Sequence, residues 1–166
     1  MAIPVYLWLK DDGGADIKGS VDVGGRQESI EVLAQNHQVS IPTDNNTGSL
    51  TGTRVHKPYV FSKKVDVSSP YLYKAVNTGQ TLESAEFVWY RIGRSGQEEA
   101  YFVTTLKGVK VVSVESKMHD IKDPTKEKYD HMEEVELRYK EITWAYVDGS
   151  IQYTDSWEKR ETAPAA

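Results

Sequence analysis

Four histidines stand at positions 37, 56, 119 and 131, and the last two bracket a segment dense in metal-ligating types. From His119 to His131 the chain reads HDIKDPTKEKYDH, which puts Asp120, Asp123 and Asp130 between the two imidazoles. Imidazole and carboxylate donors at short spacing can hold a divalent cation, and a metal hydrolase would need such a set. The spacing matches no zinc or EF-hand pattern. Pro124 and three lysines give the segment the composition of a solvated connection. The expectation is therefore no metal here, and no cofactor of any other kind.

Other catalytic chemistry is poorly supplied. The chain has no cysteine, which removes thiol nucleophiles, zinc-thiolate sites and disulfides. Gly-x-Ser-x-Gly is absent, as are Gly-x-Gly-x-x-Gly and any phosphate loop. Paired carboxylates occur at Asp11-Asp12, Glu98-Glu99 and Glu133-Glu134, beside turns or strand ends. With 25 acidic residues such pairs are expected and do not indicate acid–base work. Trp8, Trp89, Trp144 and Trp157 could form a sugar platform, so a carbohydrate-binding β-module is the alternative reading. Their strand alternation favours core or interface roles. The sequence reads as that of a non-enzyme.

The net charge of −5 argues against a nucleic-acid partner, which requires a basic face to neutralise phosphates. Residues 1–4, Met1-Ala2-Ile3-Pro4, lack the basic and apolar regions of a cleaved signal peptide, and Ile3 to Leu9 is too short to span a bilayer. The expectation is a chain made in the cytoplasm with no membrane anchor.

The positioning elements read as strands. Ten Tyr and four Trp favour a pleated surface. Val5, Leu7 and Leu9 alternate with Tyr6 and Trp8 in a first strand, ended by Asp11-Asp12-Gly13-Gly14. Ser29 to Ile41 is extended, and one of its faces passes from Ile30, Val32 and Ala34 to Asn36, Gln38 and Ser40. A strand leaving the core to line a wet surface has this pattern. Pro42 to Thr53 has no periodicity, and a dozen structureless residues in a compact domain are usually functional or disordered. Arg54 to Val67 is a third strand. Ser69 as N-cap, Pro70 in the first turn and Gly79 past the end mark one short helix, with Leu72, Ala75 and Val76 as its apolar stripe. Strands follow around Phe87–Ile92, Tyr101–Val114 and Glu133–Tyr146, the last with a bulge expected at Lys140-Glu141, where its parity switches. Asp148-Gly149 turns the chain so that Ile151, Tyr153 and Trp157 pair back. Residues 1–166 are thus expected to form one mainly β domain, a compact antiparallel β-barrel or sandwich with one short α-helix and a long extended loop. Residues 158–166 are expected to be a flexible tail.

The stretch from Thr51 to Gln80 carries a specific pattern: Phe61-x-Lys63-x-x-Asp66, then Ser69-Pro70-x-Leu72-x-x-Ala75 and Gly79. It resembles the Hcp family, the haemolysin-coregulated tube proteins of bacterial type VI secretion. Ile17-Lys18-Gly19, Ile30-Glu31-Val32, Tyr101–Val114 and Val135–Trp157 agree in order, so the resemblance covers nearly the whole chain. It implies a structural subunit of the type VI inner tube. Such subunits form homohexameric rings that stack into a hollow tube, are exported with it, and carry or shield small effector proteins in the lumen. Spike and sheath proteins are the other implied partners. Localisation would be cytoplasmic before firing, then secreted without a cleaved signal peptide. Many relatives have a Gly- or His-rich loop where this chain has Pro42 to Thr53.

Two sites follow as expectations. Thr43, Asp44, Asn45, Asn46, Thr47, Gly48, Ser49, Leu50 and Thr51 would mediate ring-on-ring stacking, being too polar for the core. Asn36 and Gln38 would face the lumen and its cargo.

Overall fold

The computed structural model describes residues 3–159. Twelve strands and one α-helix are present among them. In chain order they are β1 (Val5–Lys10), β2 (Asp16–Ile17), β3 (Ile30–Val32), β4 (Ala34–Asn36), β5 (Val39–Ser40), β6 (Val55–His56) and β7 (Tyr59–Lys64). Then come α1 (Ser69–Thr78), β8 (Thr81–Ile92), β9 (Glu98–Lys117), β10 (Met132–Arg138), β11 (Glu141–Tyr146) and β12 (Ile151–Ser156). All pairings are antiparallel.

The organising element is β9, twenty residues long. One of its edges carries β8, and the other carries β10 and then β11 end to end. From there the sheet runs through β8 to β1 on one side and through β10 to β7 on the other. The gap between β1 and β7 is spanned by β3, which pairs with β1, and by β4, which pairs with β7. Each has only three residues and Leu33 lies between them, donating its N–H to Ser62 O. Among the described residues no single strand pairs with both neighbours, so the expected barrel is corrected to sheets that are not closed. β5 and β6 form a separate two-stranded sheet.

Inside lie Leu7, Leu9, Ile30, Phe61, Phe87, Leu106, Leu137 and Ile142, every one almost wholly buried. Helix α1 closes this core with the predicted stripe: Leu72 and Ala75 are buried, and Val76 packs against the cluster. Removing such a side chain would leave a cavity, at about 2–5 kcal/mol for a large-to-alanine change. Gly19 is fixed by close approach, since a Cβ there would collide with Ser29 O and the Ile30 side chain. On the other face, Arg26 sits between the Tyr6 and Tyr90 rings, 4.8 and 4.0 Å from their centroids, and 2.6 Å from Glu98. This tethers the loop after β2 to the sheet and explains why Tyr6 is buried opposite the core.

The helix start differs from expectation. Ser69 is already helical, and its hydroxyl points inward, donating to Glu133 Oε2 (2.9 Å) and accepting from Asp66 N–H (3.0 Å). It is therefore not the N-cap. Ser68 precedes the helix with no side-chain cap bond, and Asp66 orders the entry by accepting from Ser68 N–H at 2.9 Å. Pro70 lies in the first turn, and Gly79 ends the helix in the left-handed region at φ 68°.

The switch of parity near Lys140 also has another origin. The strand breaks at Tyr139-Lys140 while its register against β9 is kept, with Arg138 opposite Lys110 and Glu141 opposite Lys107. Gly108 lies against the break at φ 62°, and a Cβ there would touch the Lys140 side chain. The bulge itself falls earlier, between Glu136 and Leu137. The expected tail begins at residue 158, and residues 160–166 lie outside the described residues.

Candidate functional site: an exposed arm and the polar clusters behind it

The segment expected to be a structureless loop is a β-arm. β5 and β6 form its base, with Val39 opposite His56 and Ser40 opposite Val55, and Lys57 N–H reaches Gln38 O at 3.0 Å. Further out, Thr43 bridges Leu50, and Thr51 N–H donates to Pro42 O. Asp44 folds the tip: its Oδ1 accepts from Asn46 N–H (2.7 Å) and Thr47 N–H (2.9 Å). Those two donors, Thr47's first, hold the Asp44 carboxyl below the usual range. Asp-Asn-Asn-Thr-Gly supplies this turn because an Asx side chain can satisfy the backbone two residues on and Gly48 takes φ 73°. Residues 41–53 are exposed except for half-buried Asp44, and Leu50 is 64% exposed. All nine stacking candidates, Thr43 to Thr51, thus lie on one preformed arm. Asn36 ends β4 and Gln38 starts the arm, and both are exposed.

Behind the arm's base lies a cluster that sequence reasoning missed. His56 is 2% exposed; its Nε2 is 2.7 Å from Asp155 Oδ2 and its Nδ1 2.6 Å from Tyr139 Oη. His37 Nε2 meets the same Tyr139 oxygen at 2.8 Å. Arg54 grips Asp155 with both Nε (3.0 Å) and Nη2 (3.2 Å), and Nη2 also donates to Ser156 O. Arg138 donates to His56 O. Trp144 and Trp157 cover His56, at centroid distances of 6.4 and 5.1 Å. Burial raises the Asp155 carboxyl, but Arg54 and His56 outweigh it and hold the group below the usual carboxylate range. Burial, then the charge of Asp155, pushes the Tyr139 phenol up, so it keeps its proton. Burial and then His56 lower His37 to about 4. No local signal could have disclosed this set, because its partners stand 83 to 102 positions apart.

A second buried cluster explains the motif from Phe61 to Gly79. Lys63 is fully buried, and its Nζ contacts Glu133 Oε2 (2.8 Å), Asp66 Oδ1 (3.0 Å), Lys64 O (2.9 Å) and Ser69 Oγ (3.2 Å). The motif's polar positions thus tie β7, β10 and the helix start into one knot. A lone buried charge would cost several kcal/mol, so they act as a set. Glu133, taken from sequence as one of an unremarkable pair, completes it.

The His119–His131 segment gathers no such cluster, and no metal-binding group of three occurs among the described residues. His119 packs tilted against Tyr129 with ring centroids 4.5 Å apart, Asp123 caps a short 3-10 turn at Thr125, and Asp130 pairs with Lys64. Trp8 and Trp89 lie on the paired strands β1 and β8, and Trp144 and Trp157 on β11 and just past β12, so the four do not share one strand pair. Among the described residues no helix is long and apolar enough to cross a membrane.

Comparison with known proteins agrees with this architecture. The family profile for "Type VI secretion system effector, Hcp" matches residues 6–146. The "Major exported protein" of Pseudomonas aeruginosa is 35% identical, with 95% of this chain and 96% of that protein covered. A mutant Hcp1 from the E. coli EAEC 042 pathovar superposes at TM-score 0.85 with 64% identity, covering 94% of this chain and 99% of that one. The secreted protein Hcp3 of P. aeruginosa gives TM-score 0.78 at 28% identity, with 95% and 100% covered. The chain belongs to the Hcp family of type VI secretion proteins.

Proposed function

We propose that this chain is the building block of a type VI inner tube, closing into homohexameric rings that stack through the arm. The observation that carries the reading is the arm itself. Residues 41–53 lie outside the core, yet the arm is stiffened by its own backbone ladder and an Asx-folded tip. Ordering a flexible loop costs about 1–2 kcal/mol per residue in backbone entropy, and a preformed arm has already met that cost before it docks. Weak contacts repeated around a ring then act together. The edge strand β12, with Ile151 and Tyr153 more than 60% exposed, is consistent with association, since a bare sheet edge invites another chain.

In this reading Asn36 and Gln38 face the lumen, where small effector proteins are carried or shielded. Spike and sheath proteins are the further partners, and the chain has no catalytic role. It is made in the cytoplasm and exported without a cleaved signal. Sedimentation and negative-stain imaging test the assembly. Rings about six times the chain mass, stacking end to end as concentration rises, are expected. Monomer alone across micromolar concentrations would refute the reading.

A further inference from the structure

We propose that Asp155, His56, Tyr139 and His37 form a proton-limited clamp that holds the arm while at most one of the two imidazoles is charged and frees it when both are. His37 lies just before the strand that enters the arm and His56 on the strand leaving it, and both end on one phenol oxygen, at 2.8 and 2.6 Å. A single atom of Tyr139 therefore ties both sides of the arm's base to the β10–β11 junction.

The hydrogens can be counted. Asp155 is a carboxylate facing His56 Nε2, so that nitrogen carries a proton and donates. With both rings neutral, Tyr139 O–H donates to His56 Nδ1, and His37 Nε2–H donates to the Tyr139 oxygen. Every donor has an acceptor. A charged His56 reverses the chain once His37 shifts its own hydrogen from Nε2 to Nδ1: His56 Nδ1–H then donates to the phenol, and the phenol O–H donates to His37 Nε2. A second added proton has no such solution. Both imidazolium rings, 6.4 Å apart, would aim N–H at the same oxygen, and the phenol hydrogen would point at neither. Tyr139 is 6% exposed, so water cannot readily take that hydrogen.

The surroundings decide which ring leaves. Facing the pair are Arg54 on the arm, Arg138 at the end of β10 and Asp155 on β12, with Tyr59 of β7 stacked 5.0 Å from His37 and Trp144 of β11 behind. Asp155 compensates His56 directly but does not touch His37. Half-buried His37 therefore takes the second proton by swinging out, carrying the arm's entering strand with it. Its lowered basicity agrees. With His56 already charged, the gap between 6.5 and about 4 would favour the released arm roughly thirtyfold at pH 5 if the ring were fully shielded. Solvent screening at a half-buried ring reduces this to about tenfold. The consequence for tubes rests on the stacking role proposed above: acid would unstack rings without dissolving them.

The chain has no native cysteine, so a nitroxide on Asn45→Cys labels the arm tip alone. Recorded below the concentration at which rings stack, its spectrum at pH 7.5 and 5.0 reads arm mobility within one chain, and micrographs of more concentrated samples score stacking separately. The mobile component should rise about tenfold at pH 5.0. His37→Gln, which keeps a donor for Tyr139 but does not titrate, should remain fixed at both pH values. Tyr139→Phe should be mobile at both; if that variant does not fold, His37→Gln decides. Identical spectra at the two pH values, or equal loosening in His37→Gln, would overturn the clamp. So would loosening that occurs only together with loss of the far-ultraviolet dichroism of the whole fold.

Discussion

The segment from His119 to His131 and the ground beneath the arm each hold two histidines and at least one aspartate, and they differ in what lies around them. In the first, the donors follow one another along a turn-rich surface and take separate, exposed partners: Tyr129 for His119, Thr125 for Asp123 and Lys64 at the end of β7 for Asp130. In the second, residues from β6, β12, the β10–β11 junction and the entry to the arm converge on a single buried chain of bonds. Nearness in sequence gave polar groups without cooperation. Convergence from distant strands gave cooperation because burial leaves each group dependent on the next.

The largest effect should come from two adjacent carboxylates. Glu133 is 2% exposed and neutralises Lys63, whereas Glu134 is exposed. Glu133→Ala should cost about 3–5 kcal/mol by stranding a buried ammonium. Glu134→Ala should stay within about 0.5 kcal/mol, as surface changes usually do. Denaturant midpoints would compare them, and equal losses would erase the distinction between buried and exposed clusters. Next comes Asp155→Ala, which unpairs Arg54 and His56 together and should cost about 2 kcal/mol.

Acid provides a third comparison. His37 binds its proton less readily when folded, so its contribution is fully present above pH 6.5 and is lost as pH falls to about 4. After allowance for the half-exposed ring this amounts to about 1–2 kcal/mol. His37→Gln should flatten the pH dependence of the melting temperature in that window. The smallest effect is expected for His119→Ala with His131→Ala, within about 0.5 kcal/mol in total. A larger loss would mean that the surface segment has a hidden partner.

Much of the fold was legible because its signals are local. Alternation at Val5–Leu9 and the stripe Leu72, Ala75, Val76 report directly which side is buried, and Gly79 reports where the helix must stop. The family pattern was legible too, but its physical meaning was not. Ser69 looks like a cap until Glu133, 64 positions later, claims its hydroxyl. The arm was read as a loop because its ladder is backbone to backbone, which leaves no side-chain periodicity, although Asp44 and Gly48 were the available signs of a turn. The clamp was invisible, since His37, His56, Tyr139 and Asp155 each look unexceptional until the register of the strands brings them together.

The arm's assignment to stacking between rings is tested most directly by replacing Thr43–Thr51 with a short Gly-Ser link and measuring native mass and end-to-end stacking on the same sample. The ring mass should be unchanged, while stacks disappear from micrographs and secretion stops. If the shortened chain instead falls to monomers, the arm belongs to the contact that closes the ring.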